Sequence, residues 1–294
     1  MSHKAGFVNI VGNPNVGKST LMNAFIGEKL SIITNKAQTT RHRILGIVNG
    51  EDFQMIISDT PGIIKPAYQL QESMMDFVKS AFEDADVLIY MVESGEKELK
   101  DEAFFKKITS AKIPVLLLIN KIDKTTQEQL EQQVAYWKEK VPNAEIYPIA
   151  ALEGFQVQEV FSRILELLPD SPPFYPKDQL TDKPERFFVN ETIREKILLY
   201  YKKEIPYSVE VETEEFIEDD KIIRIRSVIM VERDTQKGII IGHKGESLKR
   251  VGMASRKDLE IFFGKQVHLE IFVKVNKNWR SDSRQLRRFG YDQK

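Results

Sequence analysis

The stretch "GNPNVGKST", Gly12 to Thr20, decides the fold class of the N-terminal half of this chain. It follows the apolar run "AGFVNIV" and opens the helix-like stretch "GKSTLMNAFIG", so the pattern G-x-x-x-x-G-K-[ST] lies between a predicted strand and a predicted helix. In that context the pattern is typical of a phosphate-binding loop, in which backbone N–H groups and a helix N-terminus surround an anion. A loop that binds no nucleotide is the alternative, which this context disfavours.

The residues of this loop have expected parts in holding a nucleotide. The ammonium of Lys18 supplies a point charge to the β and γ phosphates, and the hydroxyl of Ser19 can ligate Mg²⁺. Glycine is expected because a side chain would occupy the space of the phosphate. The predicted contacts are Gly12, Asn13, Pro14, Asn15, Val16, Gly17, Lys18, Ser19 and Thr20.

Around this loop, up to about residue 168, short apolar runs alternate with amphipathic, helix-like stretches. The runs include "ADVLIYMVES", "KIPVLLLIN" and "AEIYPIA", and "RILGIVNG" with "FQMIISD" reads as a strand pair. Apolar strands separated by helices predict a doubly wound α/β domain with a mostly parallel sheet and helices on both faces.

The motif "NKID", Asn120 to Asp123, indicates which base is bound. A carboxylate at Asp123 can accept hydrogen bonds from guanine N1–H and N2, whereas the same edge of adenine would not donate them. We expect Asn120 to tie this loop to the phosphate loop and Lys121 to lay its stem along the base. By itself the four-residue match could equally be a helix N-cap at Asp123; the upstream phosphate loop favours guanine.

The motif "DTPG", Asp59 to Gly62, follows the strand "FQMIIS" and is expected to read the γ phosphate. Asp59 can hold Mg²⁺ through water, and the Gly62 N–H can sense the phosphate. The polar segment "NKAQTTRHRI" is a candidate switch in which one threonine closes on Mg²⁺ in the triphosphate state, and Thr40 is favoured over Thr39. Further predicted nucleotide contacts here are Thr60, Pro61 and Ile63.

Composition bounds the remaining possibilities. The 294 residues are 41% hydrophobic, which predicts two domains, and the absence of cysteine excludes disulfides, thiolate metal sites and a Cys nucleophile. Four scattered histidines make a zinc site unexpected. With no run of eighteen apolar residues and no signal-peptide pattern, we expect a cytoplasmic protein. Nothing in the sequence indicates an obligate oligomer.

Charge is segregated along the chain. Residues 237–294 contain 14 Lys or Arg against 6 Asp or Glu, whereas the remainder contains 29 against 38. A concentrated basic region suits a polyanionic partner, because affinity for nucleic acid grows with the number of phosphates contacted. A solvated basic face without a partner is the alternative.

Five prolines between residues 169 and 184 predict an extended connection. Beyond it the patterns follow the order α-β-β-α-α-β. The expected domains are therefore 1–169 for nucleotide, 170–189 as a Pro-rich linker, and 190–294 with the basic tail.

Between the two middle helices of the second domain runs "GIIIGHKGESLKRVG", with the spacing G-x-x-G at Gly242 to Gly245. A tight helix–helix turn is the plain interpretation of such a short motif. Its element order and basic surroundings instead favour a KH-type clamp on the backbone of about four unpaired nucleotides. Lys244, Lys249 and Arg250 would add charge, and we expect the bases beside "SVIMVE", residues 227–232.

The motifs "GNPNVGKS", "QTTRHRI", "DTPG" and "NKID" resemble the translation-factor-like branch of P-loop GTPases. With "KAQTTRHRI" and the "IIIGHKG" unit, which is similar to a type II KH domain, the whole chain resembles the Era family of bacterial ribosome-assembly GTPases. The resemblance implies GTP hydrolysis to GDP with Mg²⁺, binding of the 3′ end of small-subunit ribosomal RNA, 30S maturation, and peripheral association with the cytoplasmic face of the inner membrane. It implies RNA contacts at Ile241, Gly242, His243, Lys244, Gly245, Lys249, Arg250, Trp279, Arg280, Arg284, Arg287 and Arg288.

The sequence departs from the expected pattern in two places, at Ile63 and in the loop that begins at Ala150. Ile63 stands where a Ras-like enzyme has a water-orienting Gln, so intrinsic turnover is expected to be slow, with catalysis carried by Lys18, Thr40, Asp59 and Gly62. Asn15 matches an asparagine that in related GTPases helps to hold K⁺. In the loop expected at guanine O6, the sequence has "AAL" at Ala150, Ala151 and Leu152, where the family often has "SA". Backbone N–H groups of this loop can still donate hydrogen bonds to O6.

The leading functional hypothesis is a GTP-driven RNA-binding switch in ribosome assembly. Ile63 supports an alternative: an RNA-binding protein whose G domain binds the nucleotide as a structural element, without useful turnover. A tRNA-modification GTPase is a further alternative, disfavoured because that class carries a C-terminal Cys and this chain has none.

Overall fold

The computed structural model describes residues 3–99 and 101–291. The chain divides into two units, one containing Met1–Ala67 and Gln71–Asp182, the other Tyr68–Leu70 and Lys183–Lys294. None of the helices in the described part of the chain combines the length and apolar character needed to cross a membrane.

The first unit is built on a six-stranded sheet. Its strands are β1 (Lys4–Gly12), β2 (Ile44–Asn49), β3 (Phe53–Asp59), β4 (Val87–Glu93), β5 (Val115–Asn120) and β6 (Ala144–Pro148). They lie in the order β2-β3-β1-β4-β5-β6, and all neighbours are parallel except the β2–β3 pair. The associated helices are α1 (Lys18–Ile26), α2 (Gln69–Glu83), α3 (Glu102–Thr109), α4 (Gln127–Lys140) and α5 (Val157–Leu167).

The central strands are buried on both faces, which explains their continuous apolar sequence. Every residue of β5 is buried, and β4 is buried up to Glu93. Strands covered by helices on both sides lack the alternation of polar and apolar residues that a half-exposed sheet shows. The predicted doubly wound α/β domain and the β2–β3 strand pair are confirmed.

The sheet order places a ligand site at the end of β1. This strand lies between β3 and β4, so the chain leaves β1 toward one side of the sheet and later returns to build the other side. In open α/β sheets, ligands bind outside the carboxyl ends of the strands at such a reversal of strand order. The phosphate loop begins at this point, directly after β1.

The Pro-rich segment lies extended along the first unit rather than free. The side-chain oxygen of Gln54 accepts hydrogen bonds from the N–H groups of Phe174 and Tyr175 at 2.7 and 2.9 Å. Prolines keep the segment out of a regular ladder, and a buried side-chain amide takes up its backbone donors instead. The next helix begins at Glu185, inside the stretch expected as linker, and the two units divide after Asp182.

The second unit has the expected α-β-β-α-α-β order with one helix added. Its elements are α6 (Glu185–Tyr200), β7 (Glu210–Glu218), β8 (Ile222–Val231), α7 (Asp234–Ile241), α8 (Glu246–Phe263), β9 (Gln266–Val275) and α9 (Ser283–Arg288). The central strand β8 is antiparallel to β7 and parallel to β9. The core forms where α6, α7 and α8 cover this sheet, around residues such as Ile193, Ile229 and Leu259.

Candidate nucleotide and RNA sites

A cleft of about 530 Å³ opens beside the phosphate loop of the first unit. Five stretches that are distant in sequence line it together, and they are the stretches that the motifs single out. Its lining includes Pro14, Asn15, Gly17, Lys18, Ser19, Thr20, Thr40, Gly62, Asn120, Lys121, Asp123, Ala151 and Leu152. The remaining predicted contacts lie behind this wall and are buried: Gly12, Asn13, Val16, Asp59, Thr60, Pro61, Ile63 and Ala150.

The glycines of the phosphate loop are required by neighbouring protein atoms. A Cβ at Gly12 would lie 2.2 Å from the carbonyl oxygen of Met91, and one at Gly17 would lie 2.2 Å from the side-chain nitrogen of Asn120. Gly17 also has φ of 107°, a value that favours glycine. Packing against β4 and β5 therefore excludes side chains at these two positions even without a phosphate.

Lys18 is buried with its ammonium folded over the loop. The Nζ donates to the carbonyl oxygens of Gly12 and Asn13 at 3.2 and 2.9 Å. Burial lowers the pKa of Lys18 to about 8, and the carboxyl groups of Asp59 and Glu96 act in the opposite direction. A phosphate next to this ammonium would compensate for the lost solvation and favour the charged form.

Three oxygen groups converge where a cation between the phosphates would lie. The Oδ2 of Asp59 accepts from Ser19 Oγ at 2.7 Å and from Thr40 Oγ1 at 3.2 Å, and the two hydroxyls are 3.0 Å apart. The second carboxylate oxygen of Asp59 is buried and has no hydrogen-bond partner among the described residues. Burial raises the pKa of this carboxyl. A set of hard oxygen donors with an unsatisfied carboxylate oxygen fits Mg²⁺.

The neighbouring threonine faces a different set of atoms. The Thr39 hydroxyl donates to the carbonyl oxygen of Lys36 at 2.6 Å and contacts the Thr34 hydroxyl at 2.6 Å. Of the two candidate threonines, Thr40 is therefore the one beside Asp59.

Asn120 links neighbouring loops of the cleft through its side-chain amide. Its side-chain nitrogen donates to the Val16 carbonyl oxygen at 2.8 Å, and its side-chain oxygen accepts from the Ala151 N–H at 2.9 Å. The adjacent Lys121 donates to the Asn15 carbonyl oxygen at 2.8 Å and pairs with Glu93 at 2.8 Å. These bonds link the base-reading motif to the phosphate loop.

Asp123 is exposed at the outer end of the cleft, where a base would lie. The helix-cap alternative for this residue is wrong. Helix α4 is capped instead by Thr126, whose hydroxyl accepts from the Gln129 N–H in a reciprocal capping box.

The "DTPG" motif is packed directly on the phosphate loop. A Cβ at Gly62 would lie 2.6 Å from the Cα of Pro14, and the Ile63 N–H donates to the Gly12 carbonyl oxygen at 3.0 Å. The side chain of Ile63 is fully buried. It is therefore not placed to orient a water molecule in the cleft.

Asn15 makes a contact that its motif did not predict. With φ of 66°, it directs its side-chain nitrogen to the carbonyl oxygen of Asn35 in the candidate switch, at 3.0 Å. Left-handed backbone is tolerated by Asn better than by most residues.

In the second unit, the G-x-x-G turn joins α7 to α8 through three residues in positive φ. Gly242 has φ of 73°, Lys244 49° and Gly245 81°. A Cβ at Gly242 would lie 2.2 Å from Ser247 Oγ, whereas nothing lies within 4 Å of one at Gly245. The turn therefore needs Gly242 for packing and leaves open space at Gly245. His243 and Lys244 are exposed on it.

A groove of about 540 Å³ begins at this turn and runs between α8 and β9. Its wall combines apolar and basic side chains: Leu248, Lys249, Met253, Arg256, Leu269 and Ile271. Residues 227–232, beside which we expect the bases, do not line this groove, because Val228, Ile229 and Val231 are buried in the core of β8. Exposed apolar side chains occur instead on the face of α8 beside the edge strand.

Of the other basic residues predicted near the turn, Arg250 lies with its guanidinium 4.1 Å from the centre of the Tyr200 ring. Such a stacked guanidinium has a fixed plane and remains exposed to solvent. Ile241 is half-buried at the end of α7.

The C-terminal tail is part of the second unit. Trp279 is fully buried, its indole N–H donates to the Ser208 carbonyl oxygen at 3.2 Å, and its ring meets Phe289 edge to face. The prediction that Trp279 stacks on RNA bases is therefore wrong, because its ring faces are already covered by protein.

The arginine side chains of the tail lie in different surroundings. Arg280 pairs with Glu232, and Arg288 makes two bonds to the carboxylate of Glu212 at 2.8 and 2.7 Å. Arg284 and Arg287 lie exposed on α9.

Sequence reasoning missed two parts of these sites. One is Arg256 with the apolar groove side chains around it, which the helical spacing i, i+4, i+7 of Lys249, Met253 and Arg256 could have indicated. The other is Glu96, whose carboxylate accepts a hydrogen bond from the side chain of Asn13. No motif relates Glu96 to the phosphate loop, so only the folded chain reveals this pair.

Known protein families match both units of the chain. A family model described as "50S ribosome-binding GTPase" matches residues 7–121, and a KH domain model matches residues 204–280. The crystal structure of Era with MgGDPNP and nucleotides 1506–1542 of 16S ribosomal RNA is 39% identical, with a TM-score of 0.94 over 98% of this chain and 99% of that one.

A second structure, a variant of Aquifex aeolicus Era bound to GDP and aluminium fluoride, is 40% identical with the same TM-score and coverage. Identity at this level over nearly the whole of both chains extends through the GTPase unit and the KH unit alike. The chain belongs to the Era family of GTPases.

Proposed function

We propose that this chain is a GTP-hydrolysing switch that binds the 3′ region of small-subunit ribosomal RNA and assists maturation of the 30S subunit. The observation that carries the proposal is the convergence of the Ser19 and Thr40 hydroxyls on the Asp59 carboxylate. It joins the phosphate loop, the candidate switch and the "DTPG" motif at one point, where the terminal phosphate can control all three. The relatives solved with GDPNP and with GDP and aluminium fluoride support GTP and GDP as ligands.

In this proposal the residues of the cleft bind and orient the nucleotide. Lys18 pairs with the β and γ phosphates, and Asp123 accepts hydrogen bonds from guanine while Asn120 holds the surrounding loops together. Ser19, Thr40 and, through water, Asp59 hold Mg²⁺. When bound, Mg²⁺ supplies neutralising charge between the β and γ phosphates. The Gly62 N–H contacts the γ phosphate.

The site lacks a water-orienting glutamine, because Ile63 occupies that position and its side chain is buried. We propose slow intrinsic turnover, with K⁺ near Asn15 as a candidate source of additional positive charge. Phosphate release measured in potassium and in sodium buffer, with and without RNA, tests this part. Equal rates in both buffers would remove K⁺ from the proposal.

The KH unit supplies the RNA site. The G-x-x-G turn would clamp the sugar–phosphate backbone, with Lys244, Lys249 and Arg250 as its cations, and unpaired bases would enter the groove between α8 and β9. The Era relative bound to a 16S ribosomal RNA fragment supports the choice of RNA.

The two activities are tested separately by two variants. Lys18→Ala should reduce GTP turnover by on the order of 10²-fold or more, because the ammonium stabilises charge on the phosphates. Gly242→Asp should weaken binding of the 16S 3′ fragment, because it adds a side chain and a negative charge to the clamp.

A matched control exists for the second variant. Gly264 also has positive φ, 64°, with nothing within 4 Å of an added Cβ, and it lies at the far end of α8. Gly264→Asp should therefore introduce the same charge at a positive-φ glycine, without the clash with Ser247 that a Cβ at Gly242 makes, and should leave RNA affinity nearly intact. RNA binding by Gly242→Asp equal to that of the wild type would contradict the clamp.

Two parts of the proposed function rest only on membership of the Era family. The first is association with the 30S subunit, which sedimentation of the protein with purified subunits tests. The second is a cytoplasmic location with peripheral attachment to the inner membrane, tested by fractionating cells at low and high salt. The alternatives of a structural nucleotide and of a tRNA-modification enzyme receive no support from the relatives.

A further inference from the structure

A carboxylate outside the nucleotide motifs is built into the back of the phosphate loop. Glu96 lies in the turn after β4, and one of its oxygens accepts a hydrogen bond from the side-chain nitrogen of Asn13. The other oxygen accepts from the Glu93 N–H at 3.0 Å. The two bonds use both carboxylate oxygens, so the orientation of the group is fixed. Burial raises the pKa of this carboxyl.

The turn that carries Glu96 is itself held in place by helix α4. The side-chain nitrogen of Gln133 donates to the carbonyl oxygens of Glu93 and Glu96 at 3.2 and 3.1 Å, and its oxygen accepts from the Gly95 N–H at 3.0 Å. Three hydrogen bonds from one side chain make the turn a rigid support.

Asn13 connects this support to the part of the loop that faces the second switch motif. Its side chain is held by Glu96 and by the Glu98 carbonyl oxygen at 3.1 Å, and its own carbonyl oxygen accepts from Lys18 Nζ. On one side of it, the Gly12 carbonyl oxygen accepts from the Ile63 N–H. On the other, Pro14 packs against Gly62.

We propose that Glu96 is a positioning residue for the γ phosphate: by holding Asn13, it fixes the surface on which Gly62 and Ile63 close. The α and β phosphates depend on the later part of the loop, from Gly17 to Ser19, with which Glu96 makes no described hydrogen bond and on which it acts only through its charge beside Lys18. Loss of Glu96 therefore affects the triphosphate state more than the diphosphate state. This inference rests on the nucleotide placement proposed above.

The test compares affinities for mant-GDP and mant-GDPNP in the full-length protein with Mg²⁺ present. Glu96→Ala should weaken binding of the triphosphate analogue about tenfold more than binding of GDP, a difference of about 1.4 kcal/mol. A matched control is Glu98→Ala, since Glu98 is an exposed carboxylate in the same turn that contacts Asn13 only through its backbone. This control should leave the ratio of the two affinities unchanged.

Two further variants keep the test decisive if Glu96→Ala fails to fold. Glu96→Gln retains an acceptor for Asn13 but presents an amide to the Glu93 N–H, so it should shift the ratio in the same direction by a smaller factor. In an Asn13→Ala background, Glu96→Gln should not change the ratio of the two affinities further, because Glu96 acts on the γ phosphate through Asn13. Equal loss of both affinities, an unchanged ratio, or additive effects of the two substitutions would each overturn the role of Glu96. A wild-type protein that binds neither nucleotide would instead refute the proposed site.

Discussion

Thr40 is the residue through which the candidate switch meets the cation site. Its hydroxyl lies 3.2 Å from the Asp59 carboxylate and 3.0 Å from that of Ser19. Thr40→Ala should lower GTP turnover and affinity for GDPNP about tenfold or more, as loss of a group in a metal site commonly does, with GDP affinity changed little. Steady-state phosphate release and nucleotide titration measure the two effects.

Thr39 provides the matched comparison for Thr40, being equally buried but bonded within its own loop. Thr39→Ala should have a smaller effect on turnover and no selective effect on the triphosphate analogue. If Thr39→Ala were the more damaging of the two, the assignment of Thr40 to the cation would be wrong.

Tyr201 links helix α6 to the end of α7, just before the G-x-x-G turn. Its hydroxyl donates to the Ile240 carbonyl oxygen at 2.7 Å. Burial raises the pKa of Tyr201 from 10.0 to about 12, with Arg250 acting in the opposite direction. The folded state therefore holds this proton more tightly than the unfolded state. Its contribution to stability is complete below pH 10 and is lost as the pH rises from 10 through 12.

Tyr201→Phe should lower the free energy of unfolding at pH 7 by about 1 kcal/mol, the usual value of one hydrogen bond. It should also remove part of the decline in stability between pH 10 and 12. Urea denaturation followed by circular dichroism measures both effects, with Tyr200→Phe as the neighbouring control. An equally steep alkaline decline in Tyr201→Phe and in the wild type would contradict the prediction.

Helix α8 contributes both apolar and basic side chains to the groove. Met253 is 58% exposed there, and Arg256 lies one turn away. Met253→Glu should weaken RNA binding, because it replaces an apolar contact with the bases by a carboxylate that repels the phosphates. Arg256→Gln should lower the slope of log affinity against log salt by about 1, as expected for one phosphate contact.

Fluorescence anisotropy with the 16S 3′ fragment at several salt concentrations measures these effects. Ile217, 49% exposed on β7 at the other edge of the sheet, is the control position, and Ile217→Glu should leave affinity nearly unchanged. Similar losses for Met253→Glu and Ile217→Glu would mean that the groove is not the base-binding surface.

The molecule as a whole separates its charges, with the basic excess in the KH half and the acidic excess elsewhere. This arrangement suits a protein in which one unit binds a polyanion and the other a compact nucleotide with a cation. If the units act as a switch, their two binding equilibria must be coupled.

The coupling can be measured from either site. RNA affinity with GDPNP bound should exceed RNA affinity with GDP bound, by a factor within the common range of about 5 to 150. By linkage, RNA must raise the preference of the protein for GDPNP over GDP by the same factor. Titrations in both directions measure this factor, and RNA binding independent of the nucleotide would show that the units do not form a switch.

Much of the fold could be predicted because the sequence patterns that specify it lie within short segments of the chain. Apolar runs bounded by glycine and proline specify buried parallel strands, and the spacing of Gly12, Gly17 and Lys18 specifies a backbone geometry that few other sequences can adopt. For the same reason, the order of elements in the KH half and the turn at Gly242 were accessible from pattern alone.

Long-range contacts decided the rest. Trp279 was expected to stack on RNA bases, but Ser208 and Phe289 cover it. The Pro-rich segment was expected only as an extended connection, but Gln54 binds it. The groove lies along β9 because the edge strand leaves space that the central strand does not. Glu96 reaches Asn13 only because β1 and β4 are neighbours in the sheet. Short-range patterns constrain the backbone of each segment, whereas the partners of a side chain depend on which distant segments the folded sheet brings together.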